Sequence, residues 1–144
     1  MRTAFAALST LLAVAAASCA PQKTVVFDRL ELAAKAGKDQ VVISDLLPLK
    51  DGWLCVYSFT SALPETEREA VALKALNKSF HGLDDDEYIY IVYPDVRGAP
   101  TIERVHAHST NIRFDVVPDK ACATVYGAIG VSYSNGVTHL SVRW

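Results

Sequence analysis

The chain lacks most of the short motifs that announce a chemistry. It has no internal repeat, no glycine-rich phosphate loop, no dinucleotide fingerprint, no nucleophile elbow and no His-Glu-x-x-His helix. The reaction classes that depend on those constellations therefore find no foothold in it. It also lacks an excess of positive charge: 14 Lys and Arg stand against 16 Asp and Glu, for a net charge of −2. A nucleic-acid binder is expected to carry a clustered basic footprint, so nucleic acid is not an expected partner. Beyond residue 22 no apolar run approaches the roughly 20 residues needed to cross a bilayer. Cysteine is scarce, three in all, with no Cys-x-x-Cys pair to suggest redox chemistry.

What is present begins at the N-terminus. Met1-Arg2 precedes the apolar run Ala4–Ala17, interrupted only by Ser9 and Thr10 and stopped by Pro21, Gln22 and Lys23. One positive charge, a short apolar stretch and small residues at its end form the pattern of a secretory signal. An Ala-rich core helix is the alternative, but it should show an amphipathic stripe. Within this run, Ala16-Ala17-Ser18-Cys19 resembles a bacterial lipobox, with Ala16 where leucine is commonest. The resemblance covers only residues 1–19. It implies a signal peptide over 1–18, lipid on Cys19, a tether over 19–26 and a single globular domain over 27–144. Several acyl chains on one cysteine give stable anchoring. Ala20 in place of an aspartate is similar to lipoproteins sorted to an outer membrane, facing the periplasm or the cell surface. A soluble periplasmic or secreted protein is the alternative.

If Cys19 carries lipid, Cys55 and Cys122 remain as an even pair in an exported chain, which reads as a disulfide. Two buried free thiols are the alternative. Closing so long a loop is worth on the order of 4 kcal/mol in the chain-entropy model.

The rest of the chain predicts an α+β fold: a largely antiparallel sheet of about six strands with one long helix packed on it. A short helix is expected over Phe27–Ala36, with Asp28 near its start and Gly37 at its end. Gln40–Leu47 and Gly52–Phe59, joined by Lys50-Asp51-Gly52, read as a hairpin. The long helix is expected over 64–80, with Pro64 at its first position and Ala70, Leu73, Leu76 and Phe80 on its buried face. In Trp53–Tyr57 and Tyr88–Tyr93 both faces are apolar, the mark of central strands. Strands near 101–107 and 112–117 are expected to pair around Ser109-Thr110-Asn111. The C-terminal hairpin, over about 122–143, turns at Asn135-Gly136. Its two-residue turn pairs Ser134 with Val137, Tyr133 with Thr138, Val131 with Leu140 and Ile129 with Val142.

One constellation carries possible chemistry. Strand period two puts Arg104, His106 and His108 on one face, and Arg113 joins them if the 101–117 hairpin has the right register. The plainest reading is a solvent-facing polar edge. An anion or an acidic partner surface suits the fixed positive charge of arginine. Two histidines at i, i+2 could ligate a metal given a third ligand, but the neighbouring arginine opposes a cation, and no metal or cofactor is expected. Asp84-Asp85-Asp86-Glu87 lacks the spacing and glycine of a calcium loop and reads as a solvated turn. His81 reads as a helix-end residue. His139 lies opposite Ser132, with no carboxylate placed by the sequence to orient it.

Together these features lead to a lipid-anchored cell-envelope protein with a non-catalytic binding domain that contacts another envelope protein. A small periplasmic enzyme or an anion- or metal-binding protein using the Arg104/His106/His108 face is the first alternative, and a structural spacer the second.

Overall fold

Residues 24–47, 52–57, 64, 66–80, 88–106, 110–116, 122–142 and 144 are described by the structure, a computed structural model. The first element, α1 (Val25–Lys35), buries Val26, Phe27, Leu30, Ala33 and Ala34, the one-sided stripe of an amphipathic helix. Gly37, at φ 78°, supplies the left-handed residue that closes it. Its N–H donates to the Ala34 carbonyl and that of Lys38 to the Ala33 carbonyl, at 3.0 and 3.1 Å, as in a Schellman motif.

The remaining elements are β1 (Gln40–Val42), α2 (Ile43–Leu46), β2 (Trp53–Tyr57), α3 (Glu67–Ser79), β3 (Tyr88–Pro94), β4 (Pro100–His106), β5 (Ile112–Val116), β6 (Cys122–Thr124), β7 (Ala128–Ser134) and β8 (Val137–Val142). The strands form two four-stranded sheets: sheet 1 in the order β1-β7-β8-β5 and sheet 2 in the order β4-β3-β2-β6. Every pairing is antiparallel except β5 with β8. The class is α+β, but among the described residues eight strands in two sheets replace the expected sheet of about six.

Three local expectations change with that division. β1 and β2 are not a hairpin, because β1 pairs with β7 while β2 pairs with β3 and β6. The N–H groups of Ile43 and Ser44 donate to the carbonyls of Gly127 and Val125, and the chain turns into α2 instead of continuing as a strand. β4 and β5 are likewise split. β4 lies on β3 in sheet 2, and β5 runs parallel to β8 in sheet 1. Val105 and Ile112 thereby enter one core from opposite sheets, which a hairpin would not allow. The C-terminal hairpin itself spans β7 and β8, while Cys122–Thr124 belongs to sheet 2. Its register is the expected one throughout, from Ser134↔Val137 to Ile129↔Val142. Asn135 and Gly136 both have positive φ, 51° and 79°, as a type I′ turn requires.

Sheet 2 separates two apolar clusters. On its inner side Leu54, Val56, Ile89, Ile91 and Tyr93 meet α1 and the inward residues of sheet 1, among them Ile129, Val131, Leu140 and Val142. On its outer side Cys55, Tyr57, Tyr90 and Val92 pack under Ala72, Leu73 and Leu76 of α3. The central strands β2 and β3 feed both clusters, which explains their doubly apolar sequences.

α3 starts later than Pro64 suggested. Thr66 is its cap: the Thr66 hydroxyl accepts from the Glu69 N–H at 3.2 Å, and the Glu69 carboxylate accepts from the Thr66 N–H at 3.1 Å. This reciprocal capping box satisfies two helix-end donors at once and outweighs the preference of proline for a first turn. Ala70 is exposed and Ala72 buried, so the inward stripe is Glu69, Ala72, Leu73 and Leu76.

Candidate functional site

The alternation along β4 sends its residues to opposite sides of sheet 2. Arg104 and His106 share the outer face with Ile102. They pair with Tyr90, Tyr88 and Val92 of β3, respectively. The Arg104 guanidinium carbon stands 4.7 Å from the ring centroids of both Phe80 and Tyr88, a double cation–π contact. The His106 ring meets Tyr88 edge-on at 5.0 Å. The expected Arg104–His106 row is therefore built, but on aromatic partners rather than at an open polar rim. His108 lies outside the described residues. Arg113 is not part of the row: it sits on β5 in the other sheet and donates to the carbonyls of Thr110 and Ile112 at 2.7 and 2.8 Å.

An open groove of about 560 Å³ runs between α3 and the Pro100–Ile102 end of β4. Val71, Lys74, Ala75 and Lys78, spaced i, i+3, i+4 and i+7, form the α3 wall, with Ile102 and Pro100 opposite. The floor is apolar and the rim cationic. Among the described residues neither lysine is ion-paired. That helical spacing is visible in the sequence, but it reads there as the solvent side of α3. Only the pairing of β4 next to the helix makes it a wall.

The inner face of β4 carries a second centre that sequence reasoning passed over. Glu103 is fully buried. Its carboxylate accepts from the Val26 N–H at 3.0 and 2.9 Å, from the Phe27 N–H at 3.3 Å and from the Tyr93 hydroxyl at 2.7 Å. The first N–H groups of a helix have no internal partner, and they carry the positive end of its dipole. Thr24, at the capping position, makes no side-chain cap and donates instead to Asp28. Glu103 replaces that missing local cap from the far part of the chain. Burial, with the hydrogen bond to Glu103 adding to it, pushes the Tyr93 phenol above its ordinary value. The signal was the alternation itself: Arg104 and His106 facing outward oblige Glu103 and Val105 to face the core.

On the outer face of sheet 1, His139 Nδ1 lies 3.0 Å from Asp115 Oδ1, a carboxylate supplied by the parallel neighbour β5. Ser132 is the direct cross-strand partner of His139, but no hydrogen bond joins them, so the nucleophile–base link of a hydrolytic triad is missing. Cys55 and Cys122 face each other across β2 and β6 with their sulfurs at disulfide distance. Among the described residues no three side chains converge as metal ligands, and no helix is long and apolar enough to cross a membrane.

Comparison with protein-family models, with curated proteins and with solved structures finds no match to this chain.

Proposed function

We propose that this chain is an exported cell-envelope protein, anchored by lipid on Cys19, whose folded part is a non-catalytic binding domain. It meets another envelope protein through the groove between α3 and β4. One observation carries the reading: in a chain of net charge −2, Lys74 and Lys78 line one apolar groove, and Arg104, stacked on Phe80 and Tyr88, lies on the same face of sheet 2 as the groove residue Ile102. Such a surface suits an acidic partner, because complementary charge steers the encounter and fixes register. Anchoring on one membrane surface raises the effective concentration of partners that share it. The Cys55–Cys122 pair at bonding distance supports an oxidising compartment, and the sequence Ala16-Ala17-Ser18-Cys19 supports the anchor.

The test is photo-crosslinking in intact cells from Val71 and Ser79 in the groove, with Ser132 and Ser141 on the outer face of sheet 1 as controls. One reproducible protein adduct from the groove positions, absent from the controls and lost when Lys74 and Lys78 are both changed to Glu, is the expected result. Intact mass should show lipid on Cys19. Adducts that do not distinguish the two faces would refute the groove, and an unlipidated mature chain would refute the anchor.

A further inference from the structure

The two sheets have four edges, and three of them are unsuited to further pairing. β1 and β6 are three residues each. β5 is five residues long, with a register shift between Phe114 and Val116. Short length and irregularity are the ordinary ways in which a sheet edge is protected. β4 is different: it is seven residues long and pairs with β3 without a break from Tyr88↔His106 to Pro94↔Pro100. Among the described residues it ends sheet 2, and its Pro100 and Ile102 line the groove.

The phase of its hydrogen bonds can be read from the turn. The Asp95 N–H donates to the Ala99 carbonyl at 2.8 Å, so that pair is hydrogen-bonded and the pairs alternate from there. Thr101, Glu103 and Val105 then bond to β3, while Ile102 turns its N–H and C=O away from the sheet. The His106 carbonyl, in the same phase, is taken by Thr110 through its N–H and hydroxyl, at 3.1 and 2.7 Å. The same parity places the Ile102 side chain on the groove side.

We propose, resting on the groove reading above, that β4 receives an extended acidic segment of the partner protein as an added strand. In strand addition, main-chain hydrogen bonds give affinity and side-chain pockets give specificity. Lys74 and Lys78, one helical turn apart, are separated by about 6 Å along α3. Side chains at i and i+2 of a strand are about 6.7 Å apart on one face. Two carboxylates spaced by one residue therefore match the spacing of the two lysines, which share the groove lining with Val71, Ala75 and Ile102.

The probe is an alternating Glu–Val peptide, titrated into the full folded domain and followed by anisotropy and by the Ile102 amide resonance. The expected result is binding with a shift at Ile102, and no binding of an alternating Lys–Val peptide. Lys74→Glu with Lys78→Glu should weaken binding by roughly tenfold or more. N-methylation of one alternate set of peptide residues should abolish binding while methylation of the other set spares it, a test that leaves the protein unaltered. Ile102→Pro should have the same effect as the first methylation, since proline is tolerated on an edge strand. If both methylated peptides bind as well as the parent, strand addition is overturned, while lysine-dependent crosslinks in cells would leave the groove reading standing. Preference for anionic phospholipid vesicles over the peptide would overturn the proposal in favour of a membrane surface.

Discussion

The two sides of sheet 2 are built on different terms. The inner side is a deep apolar core in which two sheets and α1 all contribute. Its buried carboxylate, Glu103, is fully enclosed and spends its oxygens on two backbone N–H groups and a phenol. The outer side is a thin layer: Leu73, Leu76 and Ala72 of α3 over Cys55, Tyr57, Tyr90 and Val92. Phe80 and Tyr88 pack at its margin, and Arg104 stacks on both. A thin layer buries less apolar surface and so contributes less stabilisation. It holds the cross-strand cysteine pair and a helix with a capping box at its N-terminus. The difference shows where a small fold places rigidity: the deep side stabilises the chain, and the shallow side, held by local devices, is available for contact.

The largest expected effect is on the shallow side. Reducing the Cys55–Cys122 bond should cost about 4 kcal/mol and lower the thermal midpoint by many degrees, as a scan with and without reductant would record. An unchanged midpoint would show that the thin layer needs no covalent tie. Next is the deep side: Glu103→Ala leaves the Val26 and Phe27 N–H groups and the Tyr93 hydroxyl without a buried partner. It should cost about 3 kcal/mol in denaturant unfolding, and Glu103→Gln less.

The two sides can also be compared by pH, because each has a buried tyrosine whose phenol is pushed above its ordinary value. Tyr57, in the outer cluster, is pushed up by burial and by the negative charge of Glu69. Tyr93, in the inner one, is pushed up by burial and by Glu103. A group whose folded value is raised gives stability that is full below its unfolded value, here about 10, and lost as pH rises above it. Stability should therefore fall above about pH 10 by up to about 1.4 kcal/mol per pH unit for each phenol. Tyr57→Phe and Tyr93→Phe should each flatten that decline in alkaline denaturation curves. Equal flattening would mean that the two sides exclude ionised phenol equally well.

Smaller still is the cap: Thr66→Ala should cost about 1 kcal/mol and fray the first turn of α3, visible as faster amide exchange there. Least affected is the fold of Arg104→Ala, where an aromatic-stacked guanidinium is worth about 1 kcal/mol or less. The same substitution should clearly reduce crosslinking from Val71 and Ser79. A stability loss as large as that of Glu103→Ala would assign Arg104 to the fold instead of the groove.

Much of this was readable where the information is local. Asn135-Gly136 fixed both a turn and a register, because a two-residue loop leaves no freedom in either. The doubly apolar runs of β2 and β3 announced strands with packed faces on both sides. Gly37 announced the end of α1. What could not be read depends on pairing between distant segments. The sequence places 40–47 beside 52–59 and 101–107 beside 112–117, yet each pair divides between the sheets, since each strand finds better burial elsewhere. The Asp115–His139 contact needed a parallel neighbour that no turn signals. Glu103 was the avoidable miss, because the parity that set Arg104 and His106 on one face already assigned it to the other.

The clamp on α1 has a consequence for the order in which the molecule assembles. α1, the first helix of the described residues, depends on a carboxylate 77 residues downstream, and its buried stripe meets β7 and β8 residues that come later still. A short isolated helix is marginal in water, so α1 has little to hold it in the growing chain. The entropy of closing so wide a loop is spent before the contact is gained. Docking of α1 is therefore expected only once β4, β7 and β8 are in place.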